Sequence, residues 1–340
     1  LAATVSDSNG KTRIDALATE VLPCALACNW YAKNAGKVLG PQKRAAGHLL
    51  FANKRTEVSH LPLGVVGIIS PWNYPLSIPF GEIVMALMAG NAVLLKVAAA
   101  TPAVGRAIER ILDAGELPEG LFQHIVGSGS KVATAFFENG IDKLFFTGSV
   151  PAGKTLMAQA AQTLTPVSLE LGGNDAMIVL ADADLERATN GAAWAGYQNA
   201  GQSCGGVERI YVEAAVYDDF VERLAKKTRA LRHGPGHGKE VTADIGSLTT
   251  EGQLRTVQQH LEDALAKGAR IQAQSRPVGD VDQGFFFPAT LLTEMSDDML
   301  TVCEETFGPI LAVEKVANAE QALEKANRSN LALTSSIWTG

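Results

Sequence analysis

The sequence predicts an α/β protein: a parallel sheet with helices on both faces, followed by a second α/β region. Three observations carry this. From residue 64 onward, short β-rich runs alternate with runs of helical pattern, the signature of β-α-β units. The 340 residues, 46% hydrophobic and 19% charged, suffice for about two domains, each with its own core. The alternation also changes rhythm after Glu170, which places a boundary near Gly173 and divides the chain into residues 1–173 and 174–340.

Residues 12–38 carry a helical repeat, with Leu17, Leu22, Ala25, Trp30 and Ala35 on related faces. Runs 64–70 and 91–97 read as strands, and 78–88 and 101–112 as helices. Runs 123–126 and 143–147 are shorter strands, each leading into a helix. Beyond Glu170, residues 176–180 form a strand, 183–197 a helix and 208–212 a strand. Two amphipathic helices follow at 216–231 and 250–267, and 336–340 has the pattern of a strand cut short. Ligands of such folds lie beyond the carboxyl ends of the strands.

Composition excludes several functions. A net charge of −7 argues against nucleic acid or an anionic membrane as the main partner, and no apolar run is long enough to span a bilayer. Four cysteines, Cys24, Cys28, Cys204 and Cys303, are too few for a disulfide framework and fit a reducing, cytoplasmic setting. Cys24 and Cys28 lie four apart on a helix without further ligands nearby, so helix packing is their expected role and no metal site is expected. His233 and His237 sit in a Gly-rich loop and read as solvated.

Two segments supply reactive groups. Glu170 lies in Leu-Glu-Leu-Gly-Gly-Asn, and Cys204 follows Asn199-Ala200-Gly201-Gln202-Ser203, which reads as a small, flexible turn. A thiolate can attack a carbonyl, and a carboxylate can activate the water that cleaves the resulting thioester. A buried structural cysteine is the plainer alternative. Pro71-Trp72-Asn73-Tyr74-Pro75 follows a strand and could be only a rigid turn. Lys96 ends a strand, where lysines are usually just solvated. Gly127-Ser128-Gly129 lacks the third glycine of a dinucleotide fingerprint. Glu304-Glu305-Thr306-Phe307-Gly308-Pro309 could be an exposed acidic loop. Gly148-Ser149-Val150-Pro151-Ala152-Gly153-Lys154-Thr155 matches the P-loop pattern G-x-x-x-x-G-K-[ST], with Asp182 at a strand end as a Mg²⁺ ligand. An NTPase therefore stands as an alternative, as does a catalytically silent fragment.

Taken in order, Asn73, Lys96, Ser149, Glu170, Cys204 and Glu305 resemble the NAD(P)-dependent aldehyde dehydrogenase family, from about Pro62 to Gly340. The resemblance implies a Rossmann-like cofactor domain and a catalytic α/β domain with the active site in the cleft between them. Family members are longer, so the chain is expected to be truncated at both ends. The resemblance makes Cys204 the nucleophile and Glu170 the deacylation base. Asn73 and the Cys204 backbone N–H would form the oxyanion hole. Trp72, Lys96, Gly148, Ser149, Glu305 and Phe307 would bind NAD or NADP. In detail, Lys96 would bond a ribose hydroxyl, Ser149 would cap its helix and meet the pyrophosphate, and Glu305 would hold the nicotinamide ribose with Phe307 beside it. Ala99 stands where the family usually places a ribose-chelating glutamate, which favours use of NADP⁺. Tyr74, Ile78, Gly81 and Gln198 match substrate-tunnel positions, and none is cationic, so the expected substrate is an apolar aldehyde. The full-length form is expected to be a homodimer or homotetramer.

Overall fold

In a computed structural model of the protein, residues 1–45, 47–236 and 243–340 are described; His237 lies outside them. The chain forms two compact units, one of Leu17–Glu170 and one of Ala2–Ala16 with Leu171–Gly340. The segment 2–16, which the sequence division keeps with residues 1–173, thus packs with the second unit. Hydrogen bonds explain its allegiance: Thr249 Oγ1 donates to Asn9 O at 2.9 Å and Ser247 N–H to Gly10 O at 3.0 Å. Gly10 takes a left-handed φ of 84° to make that approach.

Unit 1 is built on five parallel strands: β1 Val65–Ile69, β2 Ala92–Lys96, β3 Phe122–His124, β4 Lys143–Thr147 and β5 Val167–Glu170, in the order β3-β2-β1-β4-β5. The edge strand β5, which ends on Glu170, is absent from the sequence reading because Val-Ser-Leu-Glu is short and half polar. Helices Ser77–Met88, Pro102–Asp113, Gly129–Glu138 and Val150–Thr163 link successive strands. Right-handed crossovers place the first two on one face and the last two on the other. Prolines sit in the first turns of three of them (Pro79, Pro102, Pro151), where no helical N–H is lost. Helix Pro102–Asp113 buries Val104, Ala107 and Ile108, spaced for one face.

The predicted helix 12–38 is interrupted: Ala16–Val21 is π-helical before the α-helix Leu22–Leu39. The π turn shifts the phase of everything after it. As a result Leu17, Leu22 and Trp30 are more than half exposed; of the predicted face Ala35 is buried, and Cys24 is buried where the periodicity did not place it.

The main sheet of unit 2 holds six strands: β6 Asp175–Val179, β7 Val207–Glu213, β8 Arg270–Gln274, β9 Thr290–Thr293, β10 Ile310–Val316 and β11 Ser335–Trp338. Their order is β8-β9-β10-β7-β6-β11, parallel except at the β8 edge. The central strand β7 is buried almost throughout although it contains Glu208 and Arg209. Arg209 is accommodated by donating to Asn174 O from Nε at 3.0 Å and Nη2 at 2.7 Å. His233 is buried, not solvated, with Nδ1 2.8 Å from Ser275 Oγ. Among the described residues no helix is long and apolar enough to cross a membrane.

Candidate functional site

Unit 1 gathers its candidate residues along one sheet edge. Ile69 pairs with both Lys96 and Phe146, and Thr147 with Glu170. The carboxyl ends of β1, β2, β4 and β5 are therefore level. Trp72 and Asn73 follow β1, Lys96 closes β2, Gly148 and Ser149 follow β4, and Glu170 closes β5. The strand order reverses between β1 and β4, the usual ligand position in such sheets. Ser70 and Thr147, just beyond and at the ends of these two strands, bury hydroxyl oxygens without a hydrogen-bond partner among the described residues. Unpaired buried hydroxyls at a switch point suit a polar ligand. Lys96 is buried, and burial lowers its pKa; its Nζ stands 3.7 Å from where a β-carbon on Gly129 would be.

The turn 71–75 is held by a residue that sequence reasoning missed. Glu20, fully buried, accepts the Leu76 N–H at 2.7 Å and the Ser77 N–H at 3.2 Å, satisfying free amides at a helix start. Its position in the π turn left no periodic signal to find it by. Glu82, on the same helix, is pushed up to about 8 by burial and by Glu170 nearby.

The P-loop alternative does not survive. A phosphate cradle needs loop between its glycines, but the helix here begins at Val150 and Gly153 N–H already donates to Ser149 O at 2.9 Å. Lys154 and Thr155 point outward as exposed helix residues, with Thr155 Oγ1 bonded to Pro151 O. Asp182 belongs to the other unit and accepts the Thr339 hydroxyl at 3.1 Å. Ser149 occupies the N-cap position, but its hydroxyl makes no capping bond. Gly148 has no room for a side chain, since a β-carbon would meet the Phe146 ring at 2.6 Å.

In unit 2 the turn before Cys204 is rigid, not flexible. Asn199, Ala200 and Gly201 take successive left-handed φ values of 54°, 54° and 72°. Two of them are not glycine, at a cost of about 1 kcal/mol each. The turn is locked by Asn199 Nδ2 to Gln202 O and Gln202 Nε2 to Asn199 O, both at 3.0 Å, and by Thr249 N–H to Gln202 Oε1 at 2.9 Å. Gly201 lies against the Gly308 carbonyl, and a β-carbon there would also stand 2.7 Å from Pro309 N. Cys204 is half-buried, and burial pushes its thiol up, while the backbone N–H groups of Gly205 and Cys204 pull it down and Glu305 and Asp175 push it up.

Glu305 comes close to the same segment. Its Oε1 accepts the Gly173 N–H at 3.0 Å, and a β-carbon on Gly172 would stand 2.8 Å from its Cδ. Burial raises the Glu305 pKa, against the pull of the Gly173 amide. Asn174 Nδ2 donates to Val302 O and Glu304 O, both at 3.0 Å. The Gly-Gly-Asn motif thus docks the 302–305 segment. Phe307 takes a left-handed φ of 52°. Unit 2 therefore brings Cys204, Glu305 and Phe307 into one neighbourhood, as unit 1 does for Trp72, Asn73, Lys96, Gly148, Ser149 and Glu170.

A doubly wound sheet with polar residues level at its switch point is followed by an α/β unit that carries a cysteine behind a hydrogen-bonded left-handed turn. The chain belongs to the aldehyde dehydrogenase family, whose sequence pattern matches residues 1–340. A Mycolicibacterium smegmatis protein that bears the name of an NADP(+)-linked succinate-semialdehyde dehydrogenase is 42% identical over 331 residues, covering 97% of this chain and 63% of that protein. A Methylomonas protein named 4,4'-diapolycopene aldehyde oxidase is 37% identical, over 100% of this chain and 62% of its own length. The crystal structure of an aldehyde dehydrogenase from Brucella melitensis biovar abortus superposes with a TM-score of 0.91 at 35% identity, covering 99% of this chain and 68% of that one. The fold is thus that of the family, and the chain spans somewhat under two thirds of the curated relatives' length.

Proposed function

We propose that the protein oxidises an aldehyde to a carboxylic acid with NADP⁺ or NAD⁺, using Cys204 as nucleophile and Glu170 as base. The observation that carries this is the Cys204 turn. A left-handed segment fixed by Gln202, Thr249 and Gly308 holds the sulfur in one place, an expense in backbone strain that a merely packed cysteine does not need. The thiolate adds to the aldehyde carbon, and the oxyanion so formed takes hydrogen bonds from the Asn73 amide and the Cys204 backbone N–H. Bound NADP⁺ or NAD⁺ would supply the hydride acceptor for this carbon. Glu170 then takes a proton from water, whose oxygen attacks the thioester carbon; the C–S bond breaks and the acid departs. Aldehyde, water and oxidised cofactor yield acid, reduced cofactor and a proton.

Lys96, Gly148, Ser149 and the unpaired Ser70 and Thr147 hydroxyls would receive the dinucleotide in unit 1, and Glu305 and Phe307 the nicotinamide ribose. Ala99 presents no carboxylate to repel a 2′-phosphate, and Lys96 offers a cation, so NADP⁺ is accepted. The name of the M. smegmatis relative points to an acidic semialdehyde and that of the Methylomonas relative to an apolar one. Unit 1 favours the apolar substrate. Between residues 71 and 91 there is no lysine, arginine or histidine, and the one acidic residue is Glu82. A β-carbon on Gly81 would meet nothing within 4 Å, leaving space.

Two variants test the reading. Cys204→Ala should abolish oxidation while NADP⁺ still binds. Glu170→Gln should release one equivalent of reduced cofactor in a burst and then turn over slowly. Full steady turnover by either variant overturns the assignment.

A further inference from the structure

The segment that carries Glu305 and Phe307 has no helix or strand to fix it between Cys303 and Ile310. It is held instead by a carboxylate from the middle of β7. Thr306 N–H donates to Glu208 Oε2 at 2.7 Å, and Phe307 N–H donates to Glu208 Oε1 at 2.8 Å. Two consecutive amides thus enter the two oxygens of one side chain. From the other side Gln253 Nε2 donates to the carbonyls of both residues at 2.9 Å, and His260 Nδ1 lies 3.1 Å from Thr306 Oγ1.

Glu208 is 4% exposed and, among the described residues, makes no ion pair. Burial pushes its carboxyl up to about 8 against the pull of the two amides, and its neighbours Glu305 and Asp175, of its own sign, add to the rise. A buried carboxyl without a cation, charged or protonated, is a net cost to folding. A hydrophobic side chain would serve the strand better, so the amide grip is the return on that cost.

We propose that Glu208 is a positioning residue for the cofactor: by gripping the Thr306 and Phe307 amides it sets the Glu305 carboxyl against Gly173 and fixes the Phe307 ring. The cofactor part of this rests on the reading of Glu305 as the nicotinamide-ribose ligand. Phe307 holds its left-handed φ of 52° because its amide is pinned on one side and its carbonyl on the other. Without the grip, the residue relaxes to an ordinary conformation and the segment between Glu305 and Gly308 changes course.

Glu208→Gln tests it, because glutamine has the same size but offers one acceptor and one N–H₂ group to two incoming N–H donors. Hydrogen exchange at Thr306 and Phe307 should quicken about tenfold or more, and the dissociation constant for NADP⁺ should rise about tenfold, while alkylation of Cys204 without cofactor stays within about twofold. Glu208→Asp keeps the carboxyl but is a methylene shorter, and should fall between the parent and Glu208→Gln. Unchanged exchange in Glu208→Gln overturns the grip itself. Faster exchange with unchanged NADP⁺ affinity overturns its link to the cofactor. Glu305→Gln separates the underlying reading: if it leaves NADP⁺ affinity intact, Glu305 is not the ribose ligand, whatever exchange at 306–307 shows. Should Glu208→Gln fail to fold, exchange in the unaltered protein decides. Both amides should be protected although neither lies in a helix or strand, and exchange at the free-peptide rate overturns the proposal.

Discussion

Replacing Gly172 by alanine is a small change with a calculable local effect. Gly172 has no left-handed φ, so its backbone accepts alanine without strain. The new β-carbon would overlap Glu305 Oε2 and stand 2.8 Å from Cδ and 2.9 Å from Oε1. Comfortable contact needs about 3.5 Å, so the Oε1 side of the carboxyl must retreat by roughly 0.6 Å and the overlapping Oε2 by about twice that. The bond from Gly173 N–H to Oε1, now 3.0 Å, then lengthens to about 3.6 Å, beyond useful hydrogen-bond range. A hydrogen bond to a charged acceptor contributes about 1.5–3 kcal/mol. If that bond is what presents Glu305 to the nicotinamide ribose, NADP⁺ affinity should fall roughly ten- to hundredfold. The fold should survive, because only the end of a flexible side chain has to move. Gly173→Ala is the contrasting control. There the β-carbon meets the Cys204 carbonyl oxygen at 2.6 Å and Leu333 Cβ at 3.2 Å, so backbone must shift, at about 1–3 kcal/mol. Titration of intrinsic tryptophan fluorescence with NADP⁺ measures the first effect, and iodoacetamide alkylation of Cys204 the second. An NADP⁺ dissociation constant within twofold of the parent in Gly172→Ala would show that the Glu305–Gly173 contact does not serve binding.

Other expectations concern charge. Ala99→Glu should move the ratio of kcat/KM toward NAD⁺ by about tenfold or more; an unmoved ratio would mean that residue 99 does not face the ribose. Because burial and two carboxylates hold the Cys204 thiol above its ordinary range, its alkylation rate should climb steadily to at least pH 9 without a plateau. Glu305→Gln removes one of those charges and should speed alkylation at pH 8; a slower rate would contradict the sign. Glu82, raised to about 8 when folded, binds more protons in the native state than in the unfolded one. Stability should therefore fall as pH rises from about 4.5 to about 8, and the fall should be clearly shallower in Glu82→Gln, where Glu208, also raised to about 8, keeps part of it. Melting temperatures across this range check it, and a parallel decline in the variant would refute it.

Much of unit 1 was legible because its strands are apolar runs and three of its helices carry proline in the first turn, signals local enough to read without partners. The level ends of β1, β2 and β4 follow from that alternation. What escaped depends on residues far apart in the chain. Nothing near Ala200 announces a left-handed φ, since it is imposed by Thr249 and Gly308. Glu208 and Arg209 inside an apolar run did carry a signal: charges that strand burial obliges to find partners. Only the folded chain shows that those partners are the 306–307 amides and Asn174. The 12–38 helix kept its helical character and lost its predicted face, because one π turn suffices to rotate a periodic pattern. The short, partly polar strands β5 and β8 gave too little alternation to register.

The left-handed turn at 199–201 also bears on whether the reactive cysteine is portable. Its shape is dictated by groups about fifty and a hundred positions further along, the Thr249 amide and the Gly308 carbonyl. A synthetic peptide spanning Cys204 would keep every neighbouring residue and lose both constraints. Asn199 and Ala200 would then drop back to right-handed or extended backbone, and the sulfur would sample all directions in water as an ordinary thiol. Grafting this nucleophile into another scaffold accordingly means transplanting three stretches of chain, of which the one bearing the sulfur is the least informative.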